Sequence, residues 1–125
     1  MIKTSLALAL GLSSSLAFAA TSLTVEDIPK IQSVIQTSIS PDGDNVAFTR
    51  SVPRELYVDE NGANYSELYV VDDEGVERPF ITGSVNIKSI QWSNDSKTIY
   101  FLAKLKDDKF TALYQIPVDG GQAQK

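Results

Sequence analysis

The 125-residue chain contains no histidine and no cysteine. Without an imidazole, these residues cannot assemble a Ser-His-Asp triad. Without a thiol, they offer no cysteine nucleophile, disulfide or thiolate metal site. Nor is there a Gly-x-Ser-x-Gly turn of the kind that exposes a nucleophile above an α/β-hydrolase sheet. The chain alone is expected to be catalytically inert, with no catalytic residue, cofactor or metal of its own. An excess of basic residues is missing too: 11 Lys and Arg stand against 16 Asp and Glu, for a net charge of −5. A spread acidic surface repels phosphate backbones, which excludes nucleic acid as the expected partner.

Long apolar runs are confined to the first 20 residues. Lys3 gives a positive start, Leu6 to Leu12 with Leu16 and Phe18 an apolar run, and Ala17-Phe18-Ala19 a small-x-small cleavage site. This predicts a secretory signal peptide over residues 1–19, with cleavage after Ala19 or after Ala20. The run is interrupted by Ser13, Ser14 and Ser15 and falls short of the ~20 apolar residues that span a bilayer, so no membrane anchor is expected. The expected location is periplasmic or secreted. No cysteine staples the exported part, so its stability must come from packing.

What is present is a repeated motif. Ser40-Pro41-Asp42-Gly43-Asp44-Asn45-Val46-Ala47-Phe48 returns as Ser93-Asn94-Asp95-Ser96-Lys97-Thr98-Ile99-Tyr100-Phe101, 53 residues on. Each copy is a tight turn opening into a β-branched and aromatic strand, and a repeat of this length points to propeller blades or another stacked array. No stretch of ten or more residues shows helical spacing, apart from the start signal Thr24-Val25-Glu26-Asp27, which Pro29 ends after one turn.

Four strands are predicted at about residues 34–40, 45–50, 67–72 and 77–81, and four more at about 85–92, 98–103, 111–117 and from Gln122 onward. Leu68-Tyr69-Val70-Val71-Asp72 corresponds to Leu113-Tyr114-Gln115-Ile116-Pro117, at a spacing of 45. The difference from 53 falls in the connection 52–66, which is longer than 104–110, and surface loops absorb such changes. The predicted class is all-β: a lead-in over 20–33 with a short helical turn, then two four-stranded antiparallel blades over 34–84 and 85–125. Two such units do not close a ring of ~4 to 8 blades, so the chain is expected to be the opening segment of a longer protein.

Leu23-Thr24-Val25-Glu26-Asp27-Ile28, Ser38-Ile39-Ser40-Pro41-Asp42-Gly43 and Val46-Ala47-Phe48 resemble the opening of secreted serine peptidases of the prolyl oligopeptidase family, in particular the acylaminoacyl-peptidase-like branch. The resemblance covers essentially the whole segment after the signal. It implies an N-terminal β-propeller that gates peptide substrates for a C-terminal α/β-hydrolase domain carrying a Ser-Asp-His triad, every member of which would lie beyond Lys125. The Ser-Pro-Asp-Gly turn also occurs in periplasmic propellers of the Tol system, which makes a non-enzymatic propeller binding protein partners the alternative. A lone secreted β-domain is the third reading. The second copy departs from the pattern, with Asn94 for the proline and Ser96 for the glycine.

Other features have plain explanations. Asp59-Glu60-Asn61-Gly62 gathers oxygen ligands, but a calcium loop needs alternating ligands and a distant glutamate at fixed spacing, so a solvated loop is expected. Asp72, Asp73, Glu74 and Glu77 read as solvated turn residues rather than a substrate-amine patch, and Asp107 and Asp108 among Lys104, Lys106 and Lys109 as a soluble hairpin loop. Asn64-Tyr65-Ser66 and Asn94-Asp95-Ser96 match the glycosylation pattern. Tyr57, Tyr65, Tyr69, Trp92, Tyr100 and Tyr114 are read as packing residues, with Trp92 and Tyr100 as fillers between blades. Arg50, Arg54 and Arg78 could clamp a carboxylate, and no site is assigned to them.

Overall fold

The computed structural model describes residues 22–105 and 107–125. The expected signal peptide lies outside these described residues. A 3-10 helix over Val25–Lys30 opens the described chain, started by Thr24: its backbone N–H and its hydroxyl both donate to the Asp27 carboxylate, at 3.0 and 2.8 Å. Pro29 sits inside this helix, which ends one residue later. Among the described residues, no helix is long and apolar enough to cross a membrane.

Seven strands follow in two antiparallel sheets. The first sheet holds β1 (Ser33–Ile39), β2 (Asn45–Val52), β3 (Tyr65–Asp72) and β4 (Glu77–Ile81) in chain order. The second holds β5 (Lys88–Trp92), β6 (Thr98–Ala103) and β7 (Ala112–Pro117), also in chain order. The fourth strand expected from Gln122 onward is represented by one antiparallel bridge, in which Gln115 and Gln124 exchange both N–H···O bonds at 2.8 Å.

The spacing difference between 53 and 45 lies where the sequence put it, in the longer connection from β2 to β3. Both strands run further into that connection than expected, to Val52 and from Tyr65. β5 starts later than expected because the chain first crosses the base of β3. There Asn86 makes a parallel bridge with Ser66, with Ser66 N–H to the Val85 carbonyl and Ile87 N–H to the Ser66 carbonyl, both 2.9 Å.

The core lies between the two sheets. Ala47, Leu68 and Val70 from the first sheet pack with Ile90, Trp92, Ile99, Phe101, Ala103, Tyr114 and Ile116 from the second, and with Ile87 of the crossing segment. Because side chains alternate along a strand, each sheet gives this core one face. The faces differ. Phe48 of the first sheet and Phe101 of the second occupy the same place in the repeat, yet Phe101 faces the neighbouring sheet while Phe48 lies on the outward side with Tyr69. The sheets therefore stack front to back, and among the described residues no second sheet packs on the Phe48 side of the first or the Tyr100 side of the second.

Candidate functional site

The two repeated turns are closed by the same set of hydrogen bonds. In the first, the Ser40 hydroxyl donates to Asp42 at 2.5 Å and accepts from Asn45 N–H at 3.0 Å, while Asp42 also accepts from Asp44 N–H at 3.1 Å. In the second, Ser93, Asp95, Lys97 N–H and Thr98 N–H repeat these bonds at 2.5, 3.1 and 3.0 Å. Both carboxyls are held below the usual carboxylate range, first by the serine hydroxyl and then by a backbone N–H. The pairs join a hydroxyl to a carboxylate, but each hydroxyl is spent within its own turn and no imidazole is available, so they lock the turns and activate nothing.

The substitutions in the second copy have a reason. Gly43 has φ +85° and Ser96, its equivalent, φ +60°, a left-handed conformation that serine adopts at some cost. The buried Ser96 hydroxyl accepts from Asp42 N–H of the other turn at 3.0 Å, a bond glycine could not make. Two further bonds cross between β1 and β5: Trp92 Nε1–H to the Ser38 carbonyl at 2.9 Å, and Ile90 N–H to Gln36 Oε1 at 3.5 Å. All three join residues 54 apart. At these three points a residue of the first unit meets the residue that follows its own equivalent in the second, and β1 and β5 lie side by side in the same direction.

The arginines do not converge. On the outward side of the first sheet, Phe48 and Tyr69 stack with centroids 5.7 Å apart, and Arg50 lies 4.2 Å above the Tyr69 ring while pairing with Glu77 at 2.5 Å. The Tyr69 hydroxyl donates to the buried Glu67 at 2.7 Å, and that bond, with burial, pushes the phenol up. Phe101 and Tyr114 repeat the stack at 5.8 Å in the second sheet. Here the phenol donates to Asp108, which also pairs with Lys125 at 2.6 Å and accepts from Leu105 N–H at 3.2 Å. The Asp108 side chain is only 7% exposed, so it is a packed anchor and not the solubilising loop charge the sequence suggested. Lys125 and then Tyr114 hold its carboxyl below the usual range.

Arg54 organises the connection from β2 to β3. It donates to the carbonyls of Ala63 (2.7 Å) and Glu60 (2.9 Å) and lies 4.4 Å over the Tyr65 ring. Asp59 accepts from Tyr65 Oη–H and Glu55 N–H. In the segment that suggested a cation loop, backbone carbonyls thus face the chain's own guanidinium and the Asp59 carboxylate is taken up by Tyr65 and Glu55; no cluster of three acidic side chains able to hold a metal occurs among the described residues. A Cβ at Gly62 would come within 3.0 Å of the Arg54 side chain, so the glycine makes room for it. Outside this frame stand Leu56, Tyr57 and Val58, all exposed, with Tyr57 at φ +67°. Beside it is a cleft of about 220 Å³.

Arg78 stands apart at the junction of the sheets, over Phe80, with its Nε covered and unpartnered, in a second cleft of about 220 Å³ that Ile116, Asp119, Gly120 and Gly121 complete. The acidic turn is dispersed: Asp72 accepts from Val76 N–H at 2.8 Å, Glu77 pairs with Arg50, and Asp73 and Glu74 face solvent. Asn64 and Asn94, which begin the two glycosylation patterns, are exposed. Trp92 fills the space between the sheets, whereas Tyr100 lies on the opposite face of the second sheet, 37% exposed. The signal for Asp108 and Ser96 was absent from local pattern, since each acts through residues distant in sequence. Compared with known proteins, the chain matches no family model and no curated protein.

Proposed function

We propose that this chain furnishes the first two blades of a β-propeller in an exported serine peptidase of the prolyl oligopeptidase type, as scaffold and substrate gate for an α/β-hydrolase domain. The observation that carries the reading is the front-to-back stacking of two like sheets, whose first strands and turns are joined at one residue offset. Such stacking repeats around an axis, and a ring of blades over a hydrolase site admits short or unfolded peptides while excluding folded proteins. The lead-in Leu23-Thr24-Val25-Glu26-Asp27-Ile28 favours the peptidase among propeller proteins. Catalysis would rest on acyl transfer to water by residues beyond Lys125.

The reading is tested in the coding sequence past Lys125. Further blades followed by Gly-x-Ser-x-Gly, then aspartate and later histidine, are expected; alanine at that serine should abolish cleavage of a chromogenic peptide by the full protein. A frame that closes after more blades, with no such motif, overturns it in favour of a Tol-type propeller that binds protein partners. That second reading draws on one observation, the exposed Leu56-Tyr57-Val58 tip held out on an Arg54-braced loop.

A further inference from the structure

We infer that the two sheet faces on which no other sheet packs among the described residues are complementary to each other, so that the first sheet of one copy of this chain stacks on the second sheet of another copy. The inference goes beyond the peptidase reading and does not rest on it. It extends the contact already present inside the chain.

That contact joins unlike faces. On the first sheet it seals Ala47, Leu68, Val70 and Thr49, each 0 or 1% exposed. Their equivalents on the second sheet are Tyr100, Leu113, Gln115 and Leu102, which form its outward face; Leu113 is 58% exposed and Tyr100 37%. On the second sheet the contact seals Trp92, Ile99, Phe101, Tyr114 and Ile116. Their equivalents on the first sheet are Ile39, Val46, Phe48, Tyr69 and Val71; Ile39 in the place of Trp92 is 67% exposed, Val46, Tyr69 and Val71 are half-buried, and Phe48 is buried beneath Arg50. Each copy therefore offers one face of each kind. Like faces do not match, so the pairing is heterologous and a bound copy still presents both kinds of face at its ends.

The contact between copies is weaker than the one within a copy. Ile39 has no N–H to replace the Trp92 indole, Gly43 has no hydroxyl to replace that of Ser96, and Arg50 stands where the second sheet has Ala103. Arg50 keeps its partner Glu77, which avoids leaving an unpaired buried charge. Ser89, in the place of Gln36, is also too short to supply its amide oxygen, so three bonds of the internal contact have no counterpart and copies associate only as concentration is raised.

Sedimentation velocity of the chain from Ala20 to Lys125, and of two variants of it, tests this. Ile39→Lys spoils one face and Leu113→Lys the other, both at exposed positions that leave the core intact; serine at either site serves if a lysine variant has lost its far-ultraviolet β signal. The wild type should shift from monomer to larger species as concentration rises, and each variant alone should remain monomeric. An equimolar mixture of the two variants should form a one-to-one dimer and nothing larger, because each then has a single usable face. A wild type that is monomeric throughout, or a variant that dimerises alone by pairing like faces, overturns the inference. None of these outcomes bears on the peptidase reading, which is decided by the coding sequence.

Discussion

Ser96 combines an unfavourable backbone conformation with a bond to a different turn, and the two effects can be separated. Ser96→Ala keeps the left-handed strain and removes the acceptor for Asp42 N–H, so it should cost about 1 kcal/mol in urea unfolding. Ser96→Gly loses the same bond but relieves the strain, and should cost less than alanine. The Asp42 and Asp95 carboxyls carry a pH signature. Each is held lower in the folded chain than in the unfolded one, so each favours folding above the ordinary carboxylate pKa and loses that contribution as pH falls through its folded value. Stability should therefore decline below about pH 4, and Asp95→Asn should flatten that decline in acid titrations followed by circular dichroism.

At the scale of elements, the sequence foretold β4 and β6 to the residue, Glu77–Ile81 and Thr98–Ala103, because alternation and the flanking turns are local signals. It missed the late start of β5, where Asn86 and Ile87 bond to Ser66 across the chain and the Lys88 to Gln91 register shift carries Ser89 at φ +53°. Pairings of this kind depend on a strand that is distant in sequence, and no local pattern announces them. The same reason hid the role of Asp108, whose partners Tyr114 and Lys125 gather only once the second sheet has formed. In the β2 to β3 connection, the guanidinium is the fastener. Arg54→Ala should speed chymotryptic cleavage at Tyr57 several-fold while shifting global unfolding by no more than about 1 kcal/mol, since the loop adds nothing to the shared core.

For the whole molecule, one cluster of side chains holds both sheets, so the sheets should melt together. Trp92, the only tryptophan, lies in that cluster. Its fluorescence and the far-ultraviolet dichroism should trace the same unfolding curve; separate curves would mean that the sheets open before they unfold. Trp92→Ala should cost about 3 to 5 kcal/mol by removing the largest filler between them. With neither imidazole nor thiol in the chain, the purified polypeptide should leave chromogenic peptide esters and amides untouched.

The three bonds between residues 54 apart give the junction of the two sheets a direction as well as a strength. A junction whose two sides differ is polar, like a brick with a stud above and a socket below. A stud fits only a socket, so two such bricks join in one order and not in the reverse.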